Sequence, residues 1–244
     1  MSDVLAEIVA DTRARVAERK RPAGVFADAL ANGGISVIAE HKRASPSAGV
    51  IREDLSLEQV VGAYQRGGAA ALSILTEESR FKGSLDDIKA ARAASTLPIL
   101  RKDFIVDPYQ ISEAHSAGAD AILLIVAALE PSALRKLYQQ ATDLALDVLV
   151  EVHNRAELEV ALELEPRIIG INNRNLSTLA VDLNTTYELL PDIPAGTLKV
   201  AESGFRTRAE LDGLAAAGLD AVLIGEALMR ASDPEAACAG LTHG

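Results

Sequence analysis

Aromatic residues are scarce in this chain: its 244 residues include four Phe, four Tyr and no Trp. A core that cannot be filled with rings must be filled with Ala, Val, Ile and Leu, and 49% of the residues are hydrophobic. That composition suits buried parallel strands, which are apolar on both faces. Cysteine is rarer still. The single Cys238 excludes an intrachain disulfide, agrees with a reducing compartment and, near the end of a terminal helical segment, reads as packing. Positive charge is also short: 24 Lys and Arg against 35 Asp and Glu leave a net charge of -11. Such a surface repels a phosphate backbone and excludes nucleic acid as a general partner, although a few focused cations can still hold a small anion. No run reaches membrane-span length, the longest apolar stretch being Ala121 to Leu129, and the acidic N-terminus carries no signal-peptide pattern. The chain reads as a soluble cytoplasmic protein.

What is present is rhythm. From Asp3 to about Lys20, Val4, Leu5, Ile8, Val9, Thr12 and Val16 fall near helical spacing, predicting a helix whose apolar stripe covers part of the main body. Asn32-Gly33-Gly34 then breaks the chain. Strand-like runs follow at Val37–Lys42, Ala70–Leu75, Pro98–Phe104, Ala121–Val126, Val148–Val152, Ile168–Asn172, Leu198–Ala201 and Ala221–Ile224. Helical patterns separate them at Leu57–Arg66, Leu85–Ala94, Tyr109–Ala117, Ser132–Leu144, Arg155–Leu164 and Arg208–Ala217. Ala117-Gly118-Ala119-Asp120-Ala121-Ile122-Leu123 echoes Ala217-Gly218-Leu219-Asp220-Ala221-Val222-Leu223, and Gly67-Gly68-Ala69-Ala70-Ala71-Leu72 does so more loosely. Each puts a glycine at a helix C-terminus before a buried strand. Eight alternating units and three such joints predict a single (β/α)8 TIM barrel over residues 1–244, with 1–34 as an N-terminal helical extension, rather than an open doubly wound sheet.

In a (β/α)8 barrel the chemistry sits at the C-terminal strand ends. There the sequence offers Glu40 and Lys42, then Lys102, Glu151, Asn172 and Arg174, and finally Glu202, Ser203, Gly204, Gly225 and Glu226. Glu40 and Lys42 share strand parity, as Lys102 does with Leu100 and Phe104, so these charges face the barrel mouth. Structural ion pairing of Glu40 with Lys42 or Glu151 with Lys102 would explain single charges; polar groups at six strand ends on one rim predict an active site. A lysine partly desolvated beside other cations is expected to have its pKa lowered. Ser203-Gly204 and Gly225-Glu226 each precede a helical segment, where free N–H groups favour a phosphate. Glu226 is an awkward neighbour for an anion, so its side chain is expected to turn away. The histidines (His41, His115, His153 and His243) show no metal-site spacing, and no Gly-x-Gly-x-x-Gly follows the first strand.

Several of these stretches carry a resemblance to a known family. Ala39-Glu40-His41-Lys42-Arg43-Ala44-Ser45-Pro46-Ser47, Leu100-Arg101-Lys102-Asp103-Phe104, Leu149-Val150-Glu151-Val152-His153, Gly170-Ile171-Asn172-Asn173-Arg174-Asn175-Leu176 and Ala201-Glu202-Ser203-Gly204 resemble indole-3-glycerol phosphate synthase, as does Arg80-Phe81-Lys82-Gly83-Ser84-Leu85. The resemblance implies an enzyme of tryptophan biosynthesis that closes the indole ring of 1-(2-carboxyphenylamino)-1-deoxyribulose 5-phosphate with release of carbon dioxide and water, using neither metal nor organic cofactor. It implies Lys102 as general acid and Glu151 as base, with Glu40 and Lys42 completing the charged cluster. Asn172 and Arg174 would place the substrate, and Ser45, Ser203, Gly204 and Gly225 would serve substrate or phosphate binding. Phe81, Phe104 and Leu176, with Leu123, are candidates for the walls around the aromatic ring, and Glu202 and Glu226 are further candidates for substrate binding. Glu226 stands where some relatives carry serine, and Ala48 where a charged residue is common. The expected partner is a small anionic phosphorylated substrate, and the chain is expected to be a monomer. The rival readings are a phosphoribosylanthranilate isomerase-like enzyme, for which Cys238 is badly placed, and a non-catalytic phosphate-binding barrel.

Overall fold

The computed structural model describes residues 4–19, with side chains to residue 13, and residues 22–243. Eight parallel strands close into a barrel: β1 (Ser36–His41), β4 (Ala71–Leu75), β5 (Ile99–Lys102), β6 (Ala121–Ile125), β7 (Asp147–Val152), β8 (Ile168–Asn172), β9 (Leu198–Glu202) and β10 (Ala221–Ile224). Each pairs with its neighbour in sequence, and β1 closes the ring against both β4 and β10. The two strands outside the barrel, β2 (Ala44–Ser45) and β3 (Gly49–Val50), form a small antiparallel hairpin after β1 that the sequence pattern left as loop. Helices α3 (Leu57–Arg66), α4 (Asp86–Ala94), α5 (Pro108–Ala117), α6 (Pro131–Asp143), α7 (Arg155–Leu162), α8 (Asn184–Leu189) and α9 (Arg208–Ala217) follow successive strands, and α10 (Glu226–Arg230) and α11 (Pro234–Thr242) end the chain.

Local chemistry fixes these joints. Ser56 with Gln59, Asp107 with Gln110 and Thr207 with Glu210 form reciprocal capping boxes at the starts of α3, α5 and α9. Gly118 and Gly218 end α5 and α9 in the left-handed conformation, at φ 105° and 95°. The aspartates of the two echoes do matching work: Asp120 accepts the backbone N–H of Ile99 at 2.8 Å and Asp220 that of Lys199 at 2.8 Å. Each thereby ties a helix-to-strand turn to the start of the preceding strand. Cys238 is buried between α11 and α3, its Sγ 3.7 Å from the carbonyl oxygen of Tyr64, in the packing role expected of it.

Two apolar layers result. The outer one lies between strands and helices and includes Val60, Ile88, Ile111, Leu134 and Leu211. The inner one fills the barrel with Ile38, Leu100, Leu123, Leu149, Ile168 and Val200, and is continued by Phe26, Ala27 and Leu30 of α2 (Val25–Leu30), which plugs the N-terminal end. The sequence pattern did not reveal α2. The first helix, α1 (Val4–Arg19), forms where the periodicity predicted it, but among the described side chains its stripe is exposed rather than packed on the body, at Val4, Leu5, Ile8 and Val9. The barrel core is closed from below by α2, so it needs no cover from α1. Asp3, Lys20 and the side chain of Val16 lie outside the described residues.

Candidate active site

Strand parity and pitch bring the charged side chains together at the C-terminal mouth, around a cavity of about 420 Å³. That volume lies within the range of small-ligand sites. Its floor is aliphatic, from Leu123, Ile125 and Leu223, and Lys102 stands over it. Lys102 Nζ lies 3.0 Å from Glu151 Oε2 and 3.5 Å from Glu202 Oε2. Beside them Lys42 pairs with Glu40 at 2.7 Å, and Ser73 lies within 3.5 Å of the other Glu40 oxygen. Both ion pairs considered from sequence therefore exist, and both line the cavity rather than the packing layer.

The electrostatics correct one expectation. Burial alone would lower the pKa of Lys102, but Glu151, Glu202 and Glu40 outweigh it and hold this ammonium above the ordinary lysine range. The neighbours of Lys102 are carboxylates, not cations, so its ammonium stays protonated. Glu151 is driven the other way: burial would raise it, but Lys102 and His153 hold it well below the usual carboxylate range. Glu202 takes the penalty. Burial first, then Glu151 and Glu40, push it up to about 8 against the pull of Lys102, so it is a neutral acid at pH 7. Two carboxyls on either side of one lysine thus divide into an ionised carboxylate and a neutral acid.

The rim is built by the loops after β8, β9 and β10. Asn172 Oδ1 accepts the N–H of Arg174 at 3.0 Å, and the Arg174 guanidinium donates to the Leu179 carbonyl at 3.0 Å, which holds it at the edge of the mouth. Ser203 and Gly204 turn left-handed at φ 68° and 101°. The start of α9 is not free for an anion, because Glu210 takes the N–H groups of Arg206 and Thr207 at 2.9 and 2.8 Å. The start of α10 carries no side-chain cap, so of the two expected helix-end sites only the one after β10 is open. Glycine at 225 has a second reason: a Cβ there would lie 2.3 Å from Glu40 Oε1. Glu226 turns along its helix to accept from Arg230 at 2.9 Å, as expected, while staying on the cavity wall.

Phe81 and Phe104 face each other across the mouth with ring centroids 6.5 Å apart, and Leu176 adds an apolar edge. Of the residues expected at the site, Ser45 alone does not reach the cavity. Its hydroxyl accepts the Ala48 N–H at 3.2 Å and stabilises the hairpin turn. The structure adds Val181, Leu183 and Arg206 to the lining, from loops with no periodic signal. His153 does not line this cavity but touches Glu151 from behind it, with Nε2 3.2 Å from Oε1; it shares strand parity with Glu151, and that parity was a readable signal. His41, by contrast, is buried and held neutral, its pKa lowered to about 4 by burial and by Arg43. Among the described residues no three His, Cys, Asp or Glu side chains are gathered as metal ligands would be.

Fold and site define the class: a (β/α)8-barrel enzyme with its acid–base groups at the strand C-termini. Solved barrels share this architecture, among them a 3-hexulose-6-phosphate synthase (TM-score 0.67, 16% identity, covering 85% of this chain and 98% of that one) and the thiamine phosphate pyrophosphorylase of Pyrococcus furiosus (TM-score 0.65, 16% identity, 87% and 95%). At that identity they speak for the fold alone. The sequence comparisons are sharper. The family model described as indole-3-glycerol phosphate synthase matches residues 3–241. The indole-3-glycerol phosphate synthase of Rhodococcus jostii is 52% identical, over 91% of this chain and 82% of that protein. That of Azospirillum brasilense is 48% identical, with 99% of each chain covered. This chain belongs to the indole-3-glycerol phosphate synthase family.

Proposed function

We propose that the chain converts 1-(2-carboxyphenylamino)-1-deoxyribulose 5-phosphate to indole-3-glycerol phosphate, and that Lys102 and Glu151 are its acid and base. The observation that carries the assignment is the half-buried Lys102, 3.0 Å from the buried Glu151 and 3.5 Å from the buried Glu202, over the aliphatic floor of a cavity with a cationic rim. Ring closure joins the carboxylate-bearing ring carbon to the ketone carbon, and negative charge develops on the carbonyl oxygen. Lys102 protonates that oxygen to a hydroxyl. Carbon dioxide then leaves the ring carbon, and the bonding electrons restore aromaticity. Finally the hydroxyl leaves as water after protonation, while Glu151 removes the proton whose loss creates the indole double bond. Glu202, neutral and beside Lys102, supplies a hydrogen-bond donor to the same oxygen.

Lys42 and Arg174 hold the anionic ends of the substrate, with Asn172 fixing the Arg174 loop. The phosphate is assigned to the open backbone N–H groups at Gly225-Glu226, with the left-handed Ser203-Gly204 turn lining the same rim, and the aromatic ring to Phe81, Phe104 and Leu176. Holding a flexible substrate folded, with reacting carbons in contact, supplies a large part of the rate. We also propose a cytoplasmic monomer. The support for the compartment is the lone, buried, free cysteine. The test is the rise of indole fluorescence when purified protein meets the carboxyphenylamino-deoxyribulose phosphate, with a chelator present. Emission rising at an unaltered rate supports the reading. Binding without emission would leave a phosphate-ligand barrel.

A further inference from the structure

Glu151 is gripped on two sides. Lys102 engages Oε2, and the ring of His153 approaches the other oxygen, with Nε2 3.2 Å from Oε1. That approach is near enough for an ion pair but off the line of a hydrogen bond, and the buried Nε2 has no hydrogen-bond partner. The opposite ring nitrogen is tied down: Nδ1 lies 2.9 Å from Glu157 Oε2, which also accepts the backbone N–H of His153 at 2.8 Å. Glu157 is fixed in turn by Asn154, whose side chain donates to Oε1 at 2.6 Å and accepts the N–H of Glu157 at 3.0 Å. A helix cap therefore aims one imidazole at the carboxylate beside the lysine.

We propose that His153 is a positioning residue for Glu151, held by Glu157 so that it fixes the carboxylate oxygen Lys102 leaves unengaged. The inference rests on the functional reading above. When Lys102 turns to the substrate, Glu151 loses its main partner, and a second anchor is needed to keep one lone pair aimed into the cavity. The unsatisfied N–H is that anchor, and a small rotation of the carboxylate aligns it. Burial would lower the pKa of the ring, but Glu151 and Glu157 raise it to about 9, so it is cationic at pH 7 and carries a proton on both nitrogens. The other charged groups in reach are Lys102 across Glu151, and Asp182 from the loop after β8, which lines the polar cavity behind the ring.

The test compares His153→Gln and Glu157→Gln with the parent chain; the second keeps an oxygen for the α7 cap and removes the charge. In His153→Gln, kcat is expected to fall about 10- to 100-fold with KM nearly unchanged. Loss of a cation raises the Glu151 pKa, so the acid limb of the kcat profile moves to higher pH, and the decline through about pH 9 disappears. Glu157→Gln should shift the same limb in the same direction by less, and His153→Lys, which restores a cation, should return part of kcat. Titration of the 13C-labelled Glu151 carboxyl by NMR reads the contact without turnover. A midpoint and profile unchanged in both variants, with any rate loss matching loss of folded protein, overturns the proposal. Failure of the parent chain to turn over its substrate would overturn the functional reading instead, and the carboxyl titration would still decide the role of His153.

Discussion

The two ends of the barrel are built on opposite principles. At the N-terminal end, α2 drives Phe26, Ala27 and Leu30 into the strand interior, and the polar groups around them are partnered. Asp147 accepts the N–H of Ala27 at 2.9 Å, Ser36 donates to the Leu30 carbonyl at 3.2 Å, and Arg167 pairs with Asp28. At the C-terminal end four charged side chains and a neutral acid share one wall. Among the described residues, the two buried side-chain polar atoms lacking a hydrogen-bond partner, His153 Nε2 and Glu202 Oε1, both lie there. Satisfied polarity and apolar fill make the lower end a source of stability. Unsatisfied polar atoms at the upper end, one on Glu202 and one behind Glu151, are kept there at a cost to stability.

That contrast can be broken by exchanging the consequences of mutation between the ends. Glu151→Gln should lower kcat by about 10²- to 10⁴-fold, the range for a general base, with binding of a substrate analogue retained. Phe26→Ala, at the other end, should cost about 3–5 kcal/mol in denaturant unfolding and leave kcat per folded molecule unchanged. If Phe26→Ala changed kcat of the folded fraction, the ends would not be separable. Gly225→Ala lies between these. Its Cβ would meet Glu40 Oε1 at 2.3 Å, so displacement of the Glu40–Lys42 pair should lower kcat/KM roughly tenfold with a small change in stability. Far-UV circular dichroism alongside kinetics separates the two effects.

The smallest effect sharpens the claim that the upper end is strained. The folded pKa of Glu202 is raised to about 8 from an ordinary 4.5, so the folded state binds this proton more tightly than the unfolded one. Stability from Glu202 is therefore complete below about pH 4.5 and declines as pH rises through about 8. Glu202→Gln mimics the neutral acid and does not titrate. Its melting temperature should match the parent at pH 4.5 and exceed it at pH 9. A parent that gains stability over that range would contradict the assignment of Glu202 as the protonated partner.

Much of the upper end was readable in the sequence because strands impose parity. Lys102, Glu151, Asn172 and Glu202 each end a short apolar run, and that position alone aims them at the mouth. The joints were readable for a different reason: Gly118 and Gly218 take a backbone conformation that glycine tolerates best. The lower end was not legible. Between Gly24 and the Asn32-Gly33-Gly34 break, α2 spans six residues, too few for a helical period to show. Nor was the sign of the Lys102 shift legible, since it depends on which charges three other strands bring near it. Ser45 misled because a hydroxyl in a Ser-Pro-Ser loop serves a turn as readily as a substrate.

The most direct test of the acid–base account is turnover of the carboxyphenylamino-deoxyribulose phosphate by Lys102→Ala, followed by indole emission and by carbon dioxide release. The account predicts that both signals vanish together, because without proton transfer to the carbonyl oxygen the ring does not close, while a substrate analogue still binds the cationic rim. Turnover of Lys102→Ala at the parent rate would contradict it.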